Sequence, residues 1–154
     1  MLMKFLWPGK TRSAELRAVQ ESYRRRISRQ IPCRIIETAE AKGLDERSAG
    51  KIMEIEAKGL EKHMKDDYII CLFDKGVEMD SAEFSRFLGK RLDAGRAVTF
   101  VVGGFLGLAE RILERASFRL SLSKMTFSHE LSRVILLEQV YRSISILKGR
   151  HYAK

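Results

Sequence analysis

The stretch that decides the fold is Ala97-Val-Thr-Phe-Val-Val-Gly-Gly-Phe-Leu-Gly107, six residues of strand character running into a glycine-rich turn. β-branched and aromatic residues favour a strand, and an unbroken apolar run reads as a strand covered on both faces. Glycine lets a ligand approach main-chain N–H groups closely, and open α/β sheets take ligands beyond the carboxyl ends of their strands. The spacing is Gly-Gly-x-x-Gly, so this is neither the dinucleotide fingerprint nor, lacking Gly-Lys-Ser/Thr, a phosphate loop. On this segment alone a nucleotide-like site and a plain tight turn weigh equally.

Outward from that turn, strand-like and helix-like segments alternate. Towards the N-terminus, Leu2–Trp7 reads as a strand closed by Pro8-Gly9, and Ser13 caps a helix through Arg29. Cys33–Thr38 and Tyr68–Phe73 read as strands, Asp45–Lys65 as a charged helix, and Asp80 or Ser81 as the cap of a helix reaching Ala94. Towards the C-terminus come a short helix at 108–117, a strand at Arg119–Ser123, and a last helix from near Ser128 to Lys148. That alternation predicts an α/β fold, a mainly parallel sheet flanked by helices, as a single domain over 1–154. The last helix is apolar over much of its circumference, which points to burial on several sides and to a subunit interface.

Composition narrows the class. The chain has 154 residues, 45% of them hydrophobic, with two Pro and two Cys, enough to bury a core without disulfide or metal. Cys33 and Cys71 read as buried free thiols, and three scattered His (His63, His129, His151) argue against a metal site. No run is long and apolar enough to span a membrane and the N-terminus lacks a signal pattern, so the expected location is cytoplasmic, with no membrane partner. The net charge is +9, unevenly spread. Residues 1–35 hold nine Lys/Arg against two Glu, residues 36–97 eleven against fourteen acids, and residues 98–154 nine against four. Two basic ends flank an acidic middle, a pattern that suits a phosphate backbone if the ends meet, or a solvated face if they do not. Arg24, Arg25, Arg26 and Arg29 at the end of the first helix are the candidate RNA contacts, although cations there also suit the helix dipole.

One further segment, Leu120-Ser-Leu-Ser-Lys-Met-Thr-Phe-Ser-His129, offers small hydroxyls and open main chain before a helix, either to hold an adenosyl group or merely to cap through Thr126 or Ser128. Taken with Val101-Val-Gly-Gly-x-x-Gly-Leu108 and Arg133-Val-x-Leu-x-Glu-Gln-x-Tyr-Arg142, it resembles the bacterial large-subunit ribosomal RNA pseudouridine N3-methyltransferases of the SPOUT (α/β-knot) superfamily. The likeness is weak over 1–65 and strong from Ala97 to Arg142. It implies a homodimer with a C-terminal trefoil knot that holds S-adenosyl-L-methionine. It also implies methylation of N3 of a pseudouridine in 23S rRNA of the assembled ribosome. Matched residue by residue, it assigns cofactor binding to Leu72, Gly103, Gly104, Ser123, Lys124, Met125, Thr126, Phe127 and Ser128. The catalytic candidates are Arg142, Tyr152 and His129, the last more as a loop-ordering residue. Two departures stand out. The chain ends His151-Tyr-Ala-Lys154, where such proteins carry Pro-Tyr-His and a basic residue, and Phe105-Leu106 fills a pair that is often small then acidic.

Overall fold

The structure, a computed structural model, describes residues 1–150, apart from the side chain of Glu46. The elements are β1 (Met3–Pro8), α1 (Ala14–Ser28), β2 (Cys33–Thr38), α2 (Ala49–Glu61), β3 (Tyr68–Glu78), α3 (Ser81–Asp93), β4 (Val98–Val101), α4 (Glu110–Glu114), β5 (Phe118–Ser121) and α5 (His129–Leu147). The five strands form one sheet in the order β2-β1-β4-β3-β5, every neighbouring pair parallel. The α/β expectation therefore holds.

Side-chain alternation along the strands builds two apolar layers. Phe5, Trp7, Ile70, Val98, Phe100 and Val102 face Phe84, Leu88, Leu136, Leu137 and Val140, which belong to α3 and α5. Leu6, Ile69, Cys71 and Val101 face Ala57, Leu60, Ile112 and Leu113 of α2 and α4. A strand with apolar side chains on both faces demands exactly this double cover.

The helix starts follow from local chemistry. Ser13 and Ser128 accept from the backbone N–H of Leu16 (3.2 Å) and Leu131 (3.3 Å), so Ser128 rather than Thr126 caps α5. Asp80 and Glu83 form a reciprocal capping box at α3. Several boundaries differ from expectation. The charged helix is shorter than 45–65, because a 3-10 turn at Glu46–Ser48 precedes α2 and the chain leaves the helix after Glu61. Residues 62–65 supply one apolar anchor, Met64, which packs under the sheet instead of extending the helical stripe. α4 keeps only Glu110–Glu114, and β3 runs on to Glu78 past the expected end at Phe73. Cys71 is buried, and burial pushes its thiol up to about 12; Cys33 is only half-buried, against Ser28.

α1 and α5 lie side by side and start at the same end of the sheet. Glu130, in the first turn of α5, accepts from the backbone N–H groups of Arg12 (2.8 Å) and Ser13 (3.0 Å) at the start of α1. Farther along, Tyr23 meets Tyr141 with ring centroids 6.1 Å apart. Lys148 then reaches Gln30 at 2.7 Å. The two helices thus run from the carboxyl end of the strands to the amino end.

Candidate cofactor cavity and its surroundings

Beyond the carboxyl ends of β3, β4 and β5 lies a cavity of about 730 Å³. That falls within the range of small-molecule sites, roughly 300–1,000 Å³. Three chain segments enclose it: 72–74 from β3, 102–108 from the glycine turn, and 120–129 leading into α5, with Ser132 completing the wall. Of the residues singled out from the sequence, Leu72, Gly103, Gly104, Ser123, Met125, Thr126, Phe127, Ser128 and His129 all line it. Lys124 does not; it lies exposed between two lining residues.

The glycine turn has a steric reason. A Cβ on Gly103 would lie 2.5 Å from the carbonyl carbon of Gly107 and 2.8 Å from its Cα, so no side chain fits there. The turn closes on itself through a bridge in which the Gly107 N–H donates to the Gly104 carbonyl at 3.0 Å. On the far side, Pro8 and Glu56 press against Gly104, at 3.2 and 3.1 Å from where its Cβ would be. Phe105 and Met125 stand 74% and 75% exposed at the mouth, the most exposed large apolar side chains of the described residues.

Arg133 supports this end of the molecule. Its side chain is wholly buried, with Nη1 donating to the Gly9 carbonyl (3.2 Å) and Thr11 Oγ1 (2.9 Å) and Nη2 to the Pro8 carbonyl (2.8 Å). The guanidinium also lies over the Trp7 ring at 5.0 Å. Burial draws its pKa down to about 10, against the opposing pull of Glu130, Glu37, Glu40 and Glu56. Because Pro8 backs Gly104, Arg133 braces the cavity wall from behind. In the sequence Arg133 is only one residue of a helical pattern, and one arginine in a helix does not reveal contacts 122 to 125 positions away.

Electrostatics separate the remaining groups. Burial lowers the pKa of His129, and the charge of Arg133 lowers it further. Glu56 is buried, and burial followed by repulsion from Glu40 raises its pKa. Glu130 goes the other way: burial acts upward, but the N–H groups of Arg12 and Ser13 outweigh it. Among the described residues no three His, Cys, Asp or Glu gather as metal ligands, and no helix is long and apolar enough to cross a membrane.

The other candidates lie elsewhere. Arg142 pairs with Glu138 at 2.7 Å, thirteen residues along α5 from His129. At 1.5 Å of rise per residue that is about 20 Å from the cavity wall. Arg24 is held by Glu21, Arg26 sits over Tyr23 and Tyr141 at 5.2 and 5.8 Å, and Arg25 and Arg29 are exposed. All four occupy the end of α1 remote from the cavity. Within the chain, then, the cavity and the arginines form opposite poles. Tyr152 lies outside the described residues, as do His151 and Ala153.

Comparison with known proteins agrees with this architecture. A ribosomal RNA large subunit methyltransferase H of Clostridium kluyveri is 40% identical over 151 residues, 95% of each chain. One from Clostridium botulinum strain Kyoto is 43% identical over the same span. Among solved structures, one described as a probable methyltransferase from Bordetella pertussis superposes with a TM-score of 0.59 at 11% identity, covering 92% of this chain and 93% of that one. A probable methylase family protein from Haemophilus influenzae gives 0.57 at 11%, covering 99% and 70%. The family model described as "Predicted SPOUT methyltransferase" matches residues 1–153. The chain, with its parallel sheet and its three-segment cavity at the glycine turn, belongs to the SPOUT methyltransferase family.

Proposed function

We propose that the protein transfers a methyl group from S-adenosyl-L-methionine to N3 of a pseudouridine in 23S rRNA of the assembled ribosome, acting as a homodimer of one-domain, knotted chains. The observation that carries this reading is the coincidence of nine residues singled out from the sequence on one cavity, in a chain 40% identical to proteins named for large-subunit rRNA methylation. The cavity suits the cofactor. It has room, a turn where a side chain is excluded at Gly103, and hydroxyls at Ser123, Thr126 and Ser128 beside open main chain. When bound, the cofactor supplies an electrophilic methyl on sulfur; the protein's part is to orient, to exclude water and to manage charge.

The N3 proton has to leave, so a base near the methyl or a cation that stabilises the imide anion lowers the barrier. His129 lines the cavity, and its lowered pKa keeps it neutral near pH 7, able to accept a proton or order the loop. Arg142 is the cation. Because it lies about 20 Å along α5 from its own cavity, its place in the chemistry is at the cavity of the second subunit. In the same arrangement Arg24, Arg25, Arg26 and Arg29 of one chain would flank the other's cavity mouth and serve as the rRNA contact. Both basic ends of the sequence then face a single substrate.

Mass spectrometry of rRNA from a strain lacking the gene tests this directly. The target pseudouridine is expected to lose its N3 methyl group; the modification persisting unchanged would refute the assignment. In the same strain, Arg142→Ala is expected to restore little methylation, and restoration at the wild-type rate would remove Arg142 from the site.

A further inference from the structure

Asp74 enters the site by an irregularity in the sheet. Leu72 and Val77 both pair with Leu120 of β5, so residues 73–76 are surplus on β3 and loop out of the ladder at its carboxyl end. A bulge next to a site re-aims the side chains it carries. This one is pinned: a Cβ on Gly76 would lie 2.6 Å from the Arg119 carbonyl oxygen, so the bulge packs on β5 at a distance that only glycine allows. Its apex brings Asp74 to the cavity, where it is the one carboxylate among the lining residues. It has no hydrogen bond or ion pair among the described residues, and Lys124 is absent from the lining. The other titratable lining group, His129, is kept neutral at pH 7 by burial and by Arg133.

We propose that Asp74 makes the cavity discriminate by charge, favouring the cationic S-adenosyl-L-methionine over S-adenosyl-L-homocysteine, the neutral compound left after transfer. This rests on the proposed cofactor. In the transfer the carbon–sulfur bond breaks with its electron pair remaining on sulfur, a nitrogen–carbon bond forms, and the N3 proton passes to a base, His129 or a water molecule. The sulfur group thereby loses its positive charge while everything else about its shape is nearly conserved. A carboxylate at the wall attracts the first form more strongly than the second, so each turnover weakens the hold on its own product. The bulge sets where that charge stands, which accounts for the glycine at position 76.

Calorimetric titration of the intact protein with three compounds tests this: S-adenosyl-L-methionine, S-adenosyl-L-homocysteine and sinefungin, whose protonated amine replaces the sulfonium charge. For an exposed carboxylate near a single positive charge, Asp74→Asn should weaken the two cationic compounds about three- to tenfold. Binding of the neutral one should change less than about twofold, and Asp74→Glu should retain the preference. Equal weakening of all three, or of none, would overturn the role of Asp74 while leaving the cofactor reading intact. A fall in turnover with all affinities unchanged would also overturn it, assigning Asp74 to proton removal. Wild-type protein that binds none of the three would sink the cofactor reading itself, and the proposal with it.

Discussion

Replacing Arg133 with Met keeps the length of the side chain and deletes the brace. Three acceptors lose their donor: the carbonyls of Pro8 and Gly9 and the hydroxyl of Thr11. Thr11 still donates to Gln20 at 2.6 Å, so its loss is the smallest. Two buried carbonyls left unsatisfied cost about 1–3 kcal/mol each. Against that, the variant no longer has to bury a charge, which recovers part of the penalty that draws the guanidinium down to about 10. The net expected loss is about 3 kcal/mol, or about 6–12 °C in melting temperature for a chain of this size. Urea denaturation at fixed protein concentration, with wild type and Arg24→Met alongside, measures it. Arg24 shares its ion pair with Glu21 three residues away on the helix surface, so that control should lose no more than about 0.5 kcal/mol. A loss below about 1 kcal/mol for Arg133→Met, indistinguishable from the control, would show that the buried contacts do not hold the β1–α5 junction.

Three shorter expectations follow from the same region. Gly103→Ala must push the Gly107 backbone aside, so cofactor affinity should fall at least about tenfold with a measurable loss of stability; unchanged calorimetric binding would contradict the packing of the turn. His129 has a native pKa below its unfolded one, so the unfolded state takes up the proton first and stability falls as pH drops below about 6.5. Melting curves from pH 8 to 5 should show a shallower acid slope for His129→Gln, the remainder coming from His63, whose pKa burial and four neighbouring cations also lower; parallel slopes would refute this. Glu56 shows the opposite sign: its raised pKa means that the buried carboxylate costs stability when ionised, so Glu56→Gln should raise the melting temperature at pH 7.5 and lose that advantage below about pH 4.5, while a lower value at pH 7.5 would count against it.

What the sequence disclosed was local. Ser13, Asp80 and Ser128 announce helix starts because a cap is a contact between residues three apart. The glycine turn announces itself because the crowding at Gly103 comes from Gly107. The order β2-β1-β4-β3-β5 is not written in periodicity, which says which faces are covered but not which strands are neighbours. Arg133 was hidden for a related reason, since its acceptors lie at the other end of the chain. The helix expected over 45–65 overran because charged residues sustain a helical pattern on paper, whereas Met64 had to turn under the sheet. Asp74 sat at the edge of an expected strand, and only the doubled pairing with Leu120 shows that it belongs to a bulge.

The shared direction of α1 and α5 has a genetic consequence. Arg142 and the cavity belong to opposite poles of one chain, so in the proposed homodimer a working centre would draw one pole from each of two chains. Two variants, one spoiled at the turn by Gly103→Ala and assayed at cofactor levels too low to load it, and one spoiled at the far pole by Arg142→Ala, should then rescue each other when co-expressed. Random pairing makes half the dimers mixed, and each mixed dimer has one centre with both lesions and one with neither, so roughly a quarter of wild-type activity returns. Polarity written into a single pair of helices would become visible as complementation between two broken alleles.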